Sequence, residues 1–326
     1  MNQVTRRGFV KSSTFALSGL AAESRSQVRS PRGVTAIGMT LEMVGRAKDD
    51  IVNRMLQRLE KLSHLNADIY CLPETFATTV REPETVPGPI VSAFARFAAQ
   101  QHAYVICPLH TVRNGLIYNS AVLIDRSGAV AGQYDKTRPN QFECDSGVTP
   151  GALPPPLFDT DFGRIGIQIC FDCNWPRDWN HLKREGAEII FWPSAFPGGR
   201  MLQGLAWMNR LYIVTAPYTH PAAIYDISGD PVDESGKYQD SVSARLNLEK
   251  ELFEVDYNLP KVPRILEKYG EAVKIKYYHH EDWFTLESGS PDLKISDLIK
   301  EFDLIPHWDY ILRSERYQTR FRDPVK

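Results

Sequence analysis

Three side chains able to do nucleophilic or acid–base chemistry stand just past the ends of three predicted strands. Cys170 closes the apolar run that begins at Gly166 and leads into Phe171 and Asp172; Glu74 follows Leu72 and Pro73; Lys136 follows Tyr134 and Asp135. In α/β sheets reactive groups collect where strands end, so three distant strand ends can supply one pocket. A free thiol with a pKa near ~8.5 is mostly protonated at neutral pH and needs a base before it attacks a carbon. A carboxylate can take that proton, and a fixed ammonium can hold the charge that develops on a carbonyl oxygen.

Other readings of the same residues are weaker. Cys170 and Cys173 form a C-x-x-C, but redox pairs of that spacing open a helix in a short thioredoxin-like unit, and this chain of 326 residues lacks that layout. A zinc site would need a second ligand pair, and His279 and His280 are adjacent rather than spaced as ligands. No metal or other cofactor is expected. The five cysteines are odd in number and few for this length, which argues against a disulfide framework. Cys71 and Cys107 read as core thiols in apolar strands, and Cys144 adjoins Glu143.

The elements that must position these groups alternate strand and helix from Gly33 onward. Residues 34–39 read as a strand. Ile51, Met55, Leu59 and Leu62 recur at helical spacing behind Asp49 and Asp50, whose carboxylates favour a helix start. Strands follow over 69–72 and 104–108, with a helix over 90–101 between them that turns Val91, Phe94, Phe97 and Ala98 inward. Residues 118–124 and 129–135 form a hairpin around Asp125-Arg-Ser-Gly128, a turn sequence. The proline- and glycine-rich segment 136–156 reads as a long functional loop. Strands over 164–169, 187–192 and 212–216 alternate with helices, the first opened by Pro176 and the second over 199–209.

Several of these segments resemble the carbon–nitrogen hydrolase family, also called the nitrilase superfamily. The matching pieces are Leu72-Pro73-Glu74, Asp135-Lys136 and Ile169-Cys170-Phe171-Asp172 in that order, with Tyr118-Asn-Ser-Ala121 before the lysine and Asn209-Arg-Leu-Tyr-Ile-Val214 after the cysteine. The resemblance spans about residues 33–232. It implies an α/β fold, a four-layer αββα sandwich that pairs into homodimers or larger homo-oligomers. It also implies a Glu74–Lys136–Cys170 triad, with Glu143 as the second glutamate on the loop after the lysine. Glu74 would shuttle protons, Lys136 and the N–H of Phe171 would hold an oxyanion, and Cys170 would carry a thioester.

The sequence after the nucleophile narrows the substrate. Phe171-Asp172 resembles the amidase and carbamoylase branches rather than the Trp-Glu of true nitrilases, and Trp175-Pro176 is similar to some carbamoyl-amino-acid hydrolases, although Arg177 stands where Glu is frequent there. Arg177 reads as a solvated helix arginine. Phe171, Asp172, Trp192 and Phe196 are the expected substrate-binding residues. The expected reaction is hydrolysis of an amide or N-carbamoyl group, with nitrile hydrolysis or acyl transfer on the same triad as the alternative.

Composition fits a globular enzyme for a small molecule. With 38 basic and 40 acidic side chains the net charge is −2, without the basic surplus that nucleic-acid binders need. No apolar run reaches the ~18 residues of a membrane-spanning helix, so no stable membrane insertion is expected. The first residues, with Arg6-Arg7-Gly8-Phe9-Val10-Lys11 before a mildly apolar stretch, resemble a twin-arginine export signal, so residues 1–32 read as signal and linker and the protein as periplasmic or extracellular; a basic tail on a cytoplasmic enzyme is the alternative. The hydrolase domain is expected over 33–260. Residues 261–326 read as an extended tail with a helix or two, packed on the core or a partner subunit, where His279, His280 and Trp283 would come near a neighbouring site.

Overall fold

A computed structural model describes residues 32–41 and 47–322. The expected export segment lies outside the described residues except for Arg32, whose guanidinium donates to Glu188 at 2.6 Å. Along the chain run β1 (Gly33–Met39), α1 (Lys48–Lys61), β2 (Ile69–Cys71), α2 (Pro89–Gln101), β3 (Tyr104–Arg113), β4 (Leu116–Ile124), β5 (Val130–Asp135) and α3 (Gln141–Asp145). There follow β6 (Leu157–Asp159), β7 (Arg164–Ile167), α4 (Pro176–Arg184), β8 (Ile189–Ser194), α5 (Arg200–Asn209), β9 (Tyr212–Pro217), β10 (Ala223–Tyr225), β11 (Pro231–Glu234) and β12 (Ser241–Asn247). The last part contains β13 (Lys250–Glu254), α6 (Val255–Asn258), α7 (Val262–Tyr269), β14 (Val273–Tyr278), β15 (Trp283–Ser288), α8 (Ile295–Glu301) and α9 (His307–Arg322).

Two six-stranded sheets, ordered β12-β1-β2-β3-β4-β5 and β11-β10-β9-β8-β7-β6, stack face to face. Strict alternation along each strand makes this possible. Ile69 and Cys71 of β2, Tyr104 and Ile106 of β3, Ile165 and Ile167 of β7 and Tyr212, Val214 and Ala216 of β9 fill the layer between the sheets. The intervening residues face helices: Tyr70, Val105 and Cys107 meet Met55 and Leu59 of α1 and Phe94 and Phe97 of α2. On the other side Ile190, Trp192 and Ile213 meet Trp179 and Leu182 of α4 and Leu202 and Leu205 of α5. The result is the αββα sandwich. Gly38 is required at one close approach between the sheets, because a Cβ there would collide with the carbonyl of Thr215.

The topology brings the chemistry to one end. In the first sheet β1, β2 and β3 are parallel, and the hairpin reversals β3–β4 and β4–β5 return β5 to the direction of β2. In the second sheet β7, β8 and β9 are parallel. Glu74 therefore follows the carboxyl end of β2, Lys136 that of β5 and Cys170 that of β7.

Two expectations need revision. The segment 136–156 is not loop throughout: Asn140 caps the short helix α3 by accepting the Glu143 N–H at 2.9 Å, while the Glu143 carboxylate accepts the Asn140 N–H at 2.9 Å. The C-terminal part is not an extended tail. β13, β15 and β14 form a separate antiparallel three-stranded sheet, beginning at Lys250 rather than after 260. Phe253, Phe284, Leu286, Val262, Ile265 and Leu298 bury one another beneath it. Short strands with charged outward positions hid this unit in the sequence.

Candidate active site

Lys136 lies among carboxylates. Its Nζ donates to Glu74 Oε1 at 3.0 Å and to Glu143 Oε1 and Oε2 at 2.8 and 2.7 Å. Asn119, on β4 beside the strand that delivers Lys136, donates from Nδ2 to Glu74 Oε1 at 2.8 Å and to Glu143 Oε1 at 2.9 Å. The Lys136 side chain is only 1% exposed. Burial works against its charge, but Glu74, Cys170 and Glu143 outweigh burial and hold the ammonium well above its ordinary range. For Glu143 burial is likewise outweighed, chiefly by Lys136, and its carboxyl is lowered. Gly151 lets the loop fold back on this lysine, its N–H donating to the Lys136 carbonyl at 2.9 Å, where a Cβ would strike the carbonyl of Asp135.

Cys170 opens the short turn 170–174 with φ 48°, a left-handed conformation that a residue with a Cβ keeps only when its surroundings hold it. Asp172 does much of the holding. Its fully buried carboxylate accepts the Ile169 N–H and the Tyr134 hydroxyl, each at 2.7 Å, and the Arg138 N–H at 2.9 Å. Burial raises the Asp172 carboxyl to about 6 despite these donors. From behind, the indole of Trp192 donates to the Cys170 carbonyl at 3.1 Å. The thiol is pushed up to about 12, first by burial and then by the charge of Glu74, while Lys136, the Ala195 N–H and the Ser194 hydroxyl pull it down. The thiol, the Glu74 carboxylate and the Lys136 ammonium thus act on one another within a single site. Glu74 Oε2 is buried and has no hydrogen-bond partner among the described residues, which leaves it open to a proton.

The four expected substrate contacts divide. Phe171 is half-buried and meets Trp175 edge to face, and Phe196, 37% exposed, meets Trp192 the same way. Trp192 and Asp172 are fully buried and spend their polar atoms on the Cys170 turn. They are supports rather than walls, because no atom of either reaches solvent. Arg177 is largely exposed, 3.6 Å from Asp178. All five cysteines are free thiols, with Cys173 buried within the turn 170–174 and Cys144 exposed. Among the described residues no group of His, Cys, Asp and Glu could hold a metal ion, and no helix is long and apolar enough to cross a membrane.

Sequence reasoning missed several residues of the site. Asn119 lay inside a motif already noted, but its two bonds to carboxylates require both partners to be in place. His110 pairs with Asn119 across β3 and β4 and feels Glu74, Glu143 and Lys136; burial lowers its imidazole, and its Nδ1 is buried without a partner. Tyr218 carried no signal, whereas Thr75 and Ser194 lay inside segments read for their neighbours Glu74, Trp192 and Phe196.

Residues 34–234 match the sequence profile of the carbon–nitrogen hydrolase family. The chain is 28% identical over 213 residues to the deaminated glutathione amidase of Synechocystis sp., a match covering 56% of this chain and 77% of that protein. It is 26% identical over 197 residues to the β-ureidopropionase of Arabidopsis thaliana, covering 53% of this chain and 48% of that one. Among solved structures, Saccharomyces cerevisiae Nit3, a member of branch 10 of the nitrilase superfamily, aligns with a TM-score of 0.59 at 19% identity over 66% of this chain and 90% of its own. An amidase from Nesterenkonia sp. aligns with a TM-score of 0.58 at 17% identity over 67% and 90%. At such identities the structural likeness is one of fold.

Proposed function

The chain belongs to the carbon–nitrogen hydrolase family and is a hydrolase of carbon–nitrogen bonds, and from that premise we propose that Cys170, Glu74 and Lys136 cleave a non-peptide amide or N-carbamoyl group through a thioester. The observation that carries this reading is the buried Glu74–Lys136–Glu143 network around a neutral thiol. With the thiol raised to about 12, no standing thiolate is present at neutral pH, so the proton leaves sulfur for Glu74 Oε2 as the S–C bond forms. The carbonyl oxygen takes the negative charge, held by Lys136 Nζ and the N–H of Phe171. Collapse re-forms the carbonyl, the C–N bond breaks, and Glu74 returns its proton to the departing nitrogen. Ammonia or an amine leaves a thioester on Cys170. Water then attacks that carbon while Glu74 takes its proton, and collapse releases the acid and restores the thiol.

Glu143 holds Lys136 in place and neutralises it between turnovers. Phe171 and Phe196 offer apolar contact to the acyl part of the substrate. The relatives named as deaminated glutathione amidase and β-ureidopropionase support an amide or carbamoyl substrate over a nitrile. The enzyme works as a homodimer or larger homo-oligomer and is exported through its twin-arginine segment; sedimentation, and loss of export in an Arg6→Lys, Arg7→Lys variant, test those two points.

The deciding experiment presents amides, N-carbamoyl amino acids and nitriles to the wild type and to Cys170→Ala. Ammonia or amine release by the wild type alone, with an acyl adduct on Cys170 in the intact mass, is the expected result. Wild-type turnover in Cys170→Ala would overturn the nucleophile, and release from nitriles alone would overturn the substrate class.

A further inference from the structure

Tyr218 takes no step in the chemistry above, yet it touches both halves of the site. β9 ends at Pro217, and Tyr218 continues the alternation by which Tyr212, Val214 and Ala216 face the space between the sheets. Its N–H extends the pairing with β8, donating to the Ser194 carbonyl at 3.0 Å. Ser194 and Ala195 are in turn the donors that meet the sulfur of Cys170. Across the cleft the Tyr218 hydroxyl lies 3.1 Å from the hydroxyl of Thr75. Thr75 directly follows Glu74 and has φ 38°, a conformation in which a β-branched residue needs to be held. Burial and then the charge of Glu74 raise the phenol to about 12 against the opposing pull of the Thr75 hydroxyl, so it keeps its proton for hydrogen bonding.

We propose that Tyr218 is a positioning residue that sets Glu74 against the thiol of Cys170, clamping Thr75 from the opposite sheet. This rests on the reading of Glu74 as proton acceptor. One end of the tyrosine is fixed by strand pairing at the cysteine side and the other by the hydroxyl contact at the glutamate side. Without that contact Thr75 is free to leave its left-handed conformation, and the carboxylate beside it turns with the backbone. Oε1 of Glu74 remains tied to Asn119 and Lys136, so the loss is partial.

The test uses Tyr218→Phe, Thr75→Val, Thr75→Ser and the Tyr218→Phe/Thr75→Val double variant. Two rates are read: turnover of the best substrate from the panel, and alkylation of Cys170 by 2-chloroacetamide followed by peptide mass mapping, which separates it from the exposed Cys144. Both kcat and the alkylation rate should fall about tenfold in Tyr218→Phe and in Thr75→Val, with KM within about twofold, since misplacing a reacting group costs rate rather than binding. The double variant should be no slower than either single one, and Thr75→Ser, which keeps the hydroxyl, should stay near wild type. Wild-type rates in Tyr218→Phe, a change confined to KM, or effects that multiply in the double variant would overturn the proposal. Failure of the underlying reading is seen separately, as wild-type turnover surviving in Glu74→Gln.

Discussion

At the scale of single residues the site is an arrangement of charge around a thiol that is not itself charged. Burial and Glu74 both favour the protonated sulfur, and their sum exceeds the pull of Lys136. Difference absorbance at 240 nm between wild type and Cys170→Ala should therefore show no thiolate step from pH 6 to about pH 9, since a thiol ionises near its own pKa. A step near pH 7 would mean a preformed ion pair. Lys136 is the second test. In Lys136→Met the buried Glu74 and the part-buried Glu143 lose their shared cation. Removing one partner of a buried ion pair costs about 3 kcal/mol or more, which denaturant unfolding would register. Loss of the oxyanion donor should also lower kcat by about 10²–10³-fold. Cys170, Glu74 and Lys136 were legible in the sequence because each follows an apolar strand in a recognisable order. Asn119, His110 and Tyr218 were not, because their importance lies in the partners they meet.

At the scale of elements the turn 170–174 is held by a carboxylate rather than by its own backbone. Asp172 gathers donors from Ile169 and from Tyr134 and Arg138, which belong to two separate stretches of chain. Asp172→Asn keeps the shape but turns an amide N–H₂ toward donors. At least one charge-assisted bond is lost and one donor is left buried, so stability should drop by about 3 kcal/mol, measured as a shift of the urea midpoint. An unchanged midpoint would show that the turn is held by Trp192 and by packing alone. The same fact explains why Asp172 and Trp192 read as substrate contacts in the sequence. Asp172 stands two residues after Cys170 and Trp192 on the next strand of the same sheet, both visible from the chain order, but the direction of each side chain is set by the elements around it. The helices α1 and α2 and the strands β1–β5 and β7–β9 were legible from periodicity and α4 from Pro176, whereas β6, β10, β11 and β12 were not read, and α3 was hidden because a five-residue helix depends on the Asn140–Glu143 cap.

At the scale of the whole molecule the C-terminal unit is fastened to the sandwich by a buried polar junction. Arg210, at the end of α5, lies over the rings of Trp283 and Trp308 and donates to His307 Nδ1. His307 Nε2 lies 3.0 Å from Glu254, so a neutral imidazole with its proton on Nε2 satisfies both neighbours. Burial and then the charge of Arg210 lower this imidazole to about 4. Between that value and the ~6.5 of an unfolded histidine, the unfolded chain binds a proton that the folded chain refuses. Stability contributed here is thus complete above about pH 6.5 and is lost as the pH falls toward 4. Wild type should lose up to about 3 kcal/mol more than His307→Gln between pH 7 and pH 4.5 in denaturant unfolding. Equal losses in the two proteins would place the pH sensitivity elsewhere.

The chain itself determined that Cys170, Glu74 and Lys136 stand at strand ends, because residue identity, strand periodicity and helix periodicity are local properties written within ten or fifteen residues. The layers came from the resemblance to the carbon–nitrogen hydrolase family, and alternating apolar positions agree with sheets that have two faces to cover. Only the tertiary structure decided which side chains meet. The bond from Lys136 to Glu74 joins residues 62 apart, and the contact of Tyr218 with Thr75 joins residues 143 apart. Such meetings follow from sheet order and from the stacking of two sheets, which depend on the energy of the whole fold. The compact C-terminal unit belongs to the same class: its short strands are stable only when β15 pairs on both sides and the apolar residues beneath it are buried together.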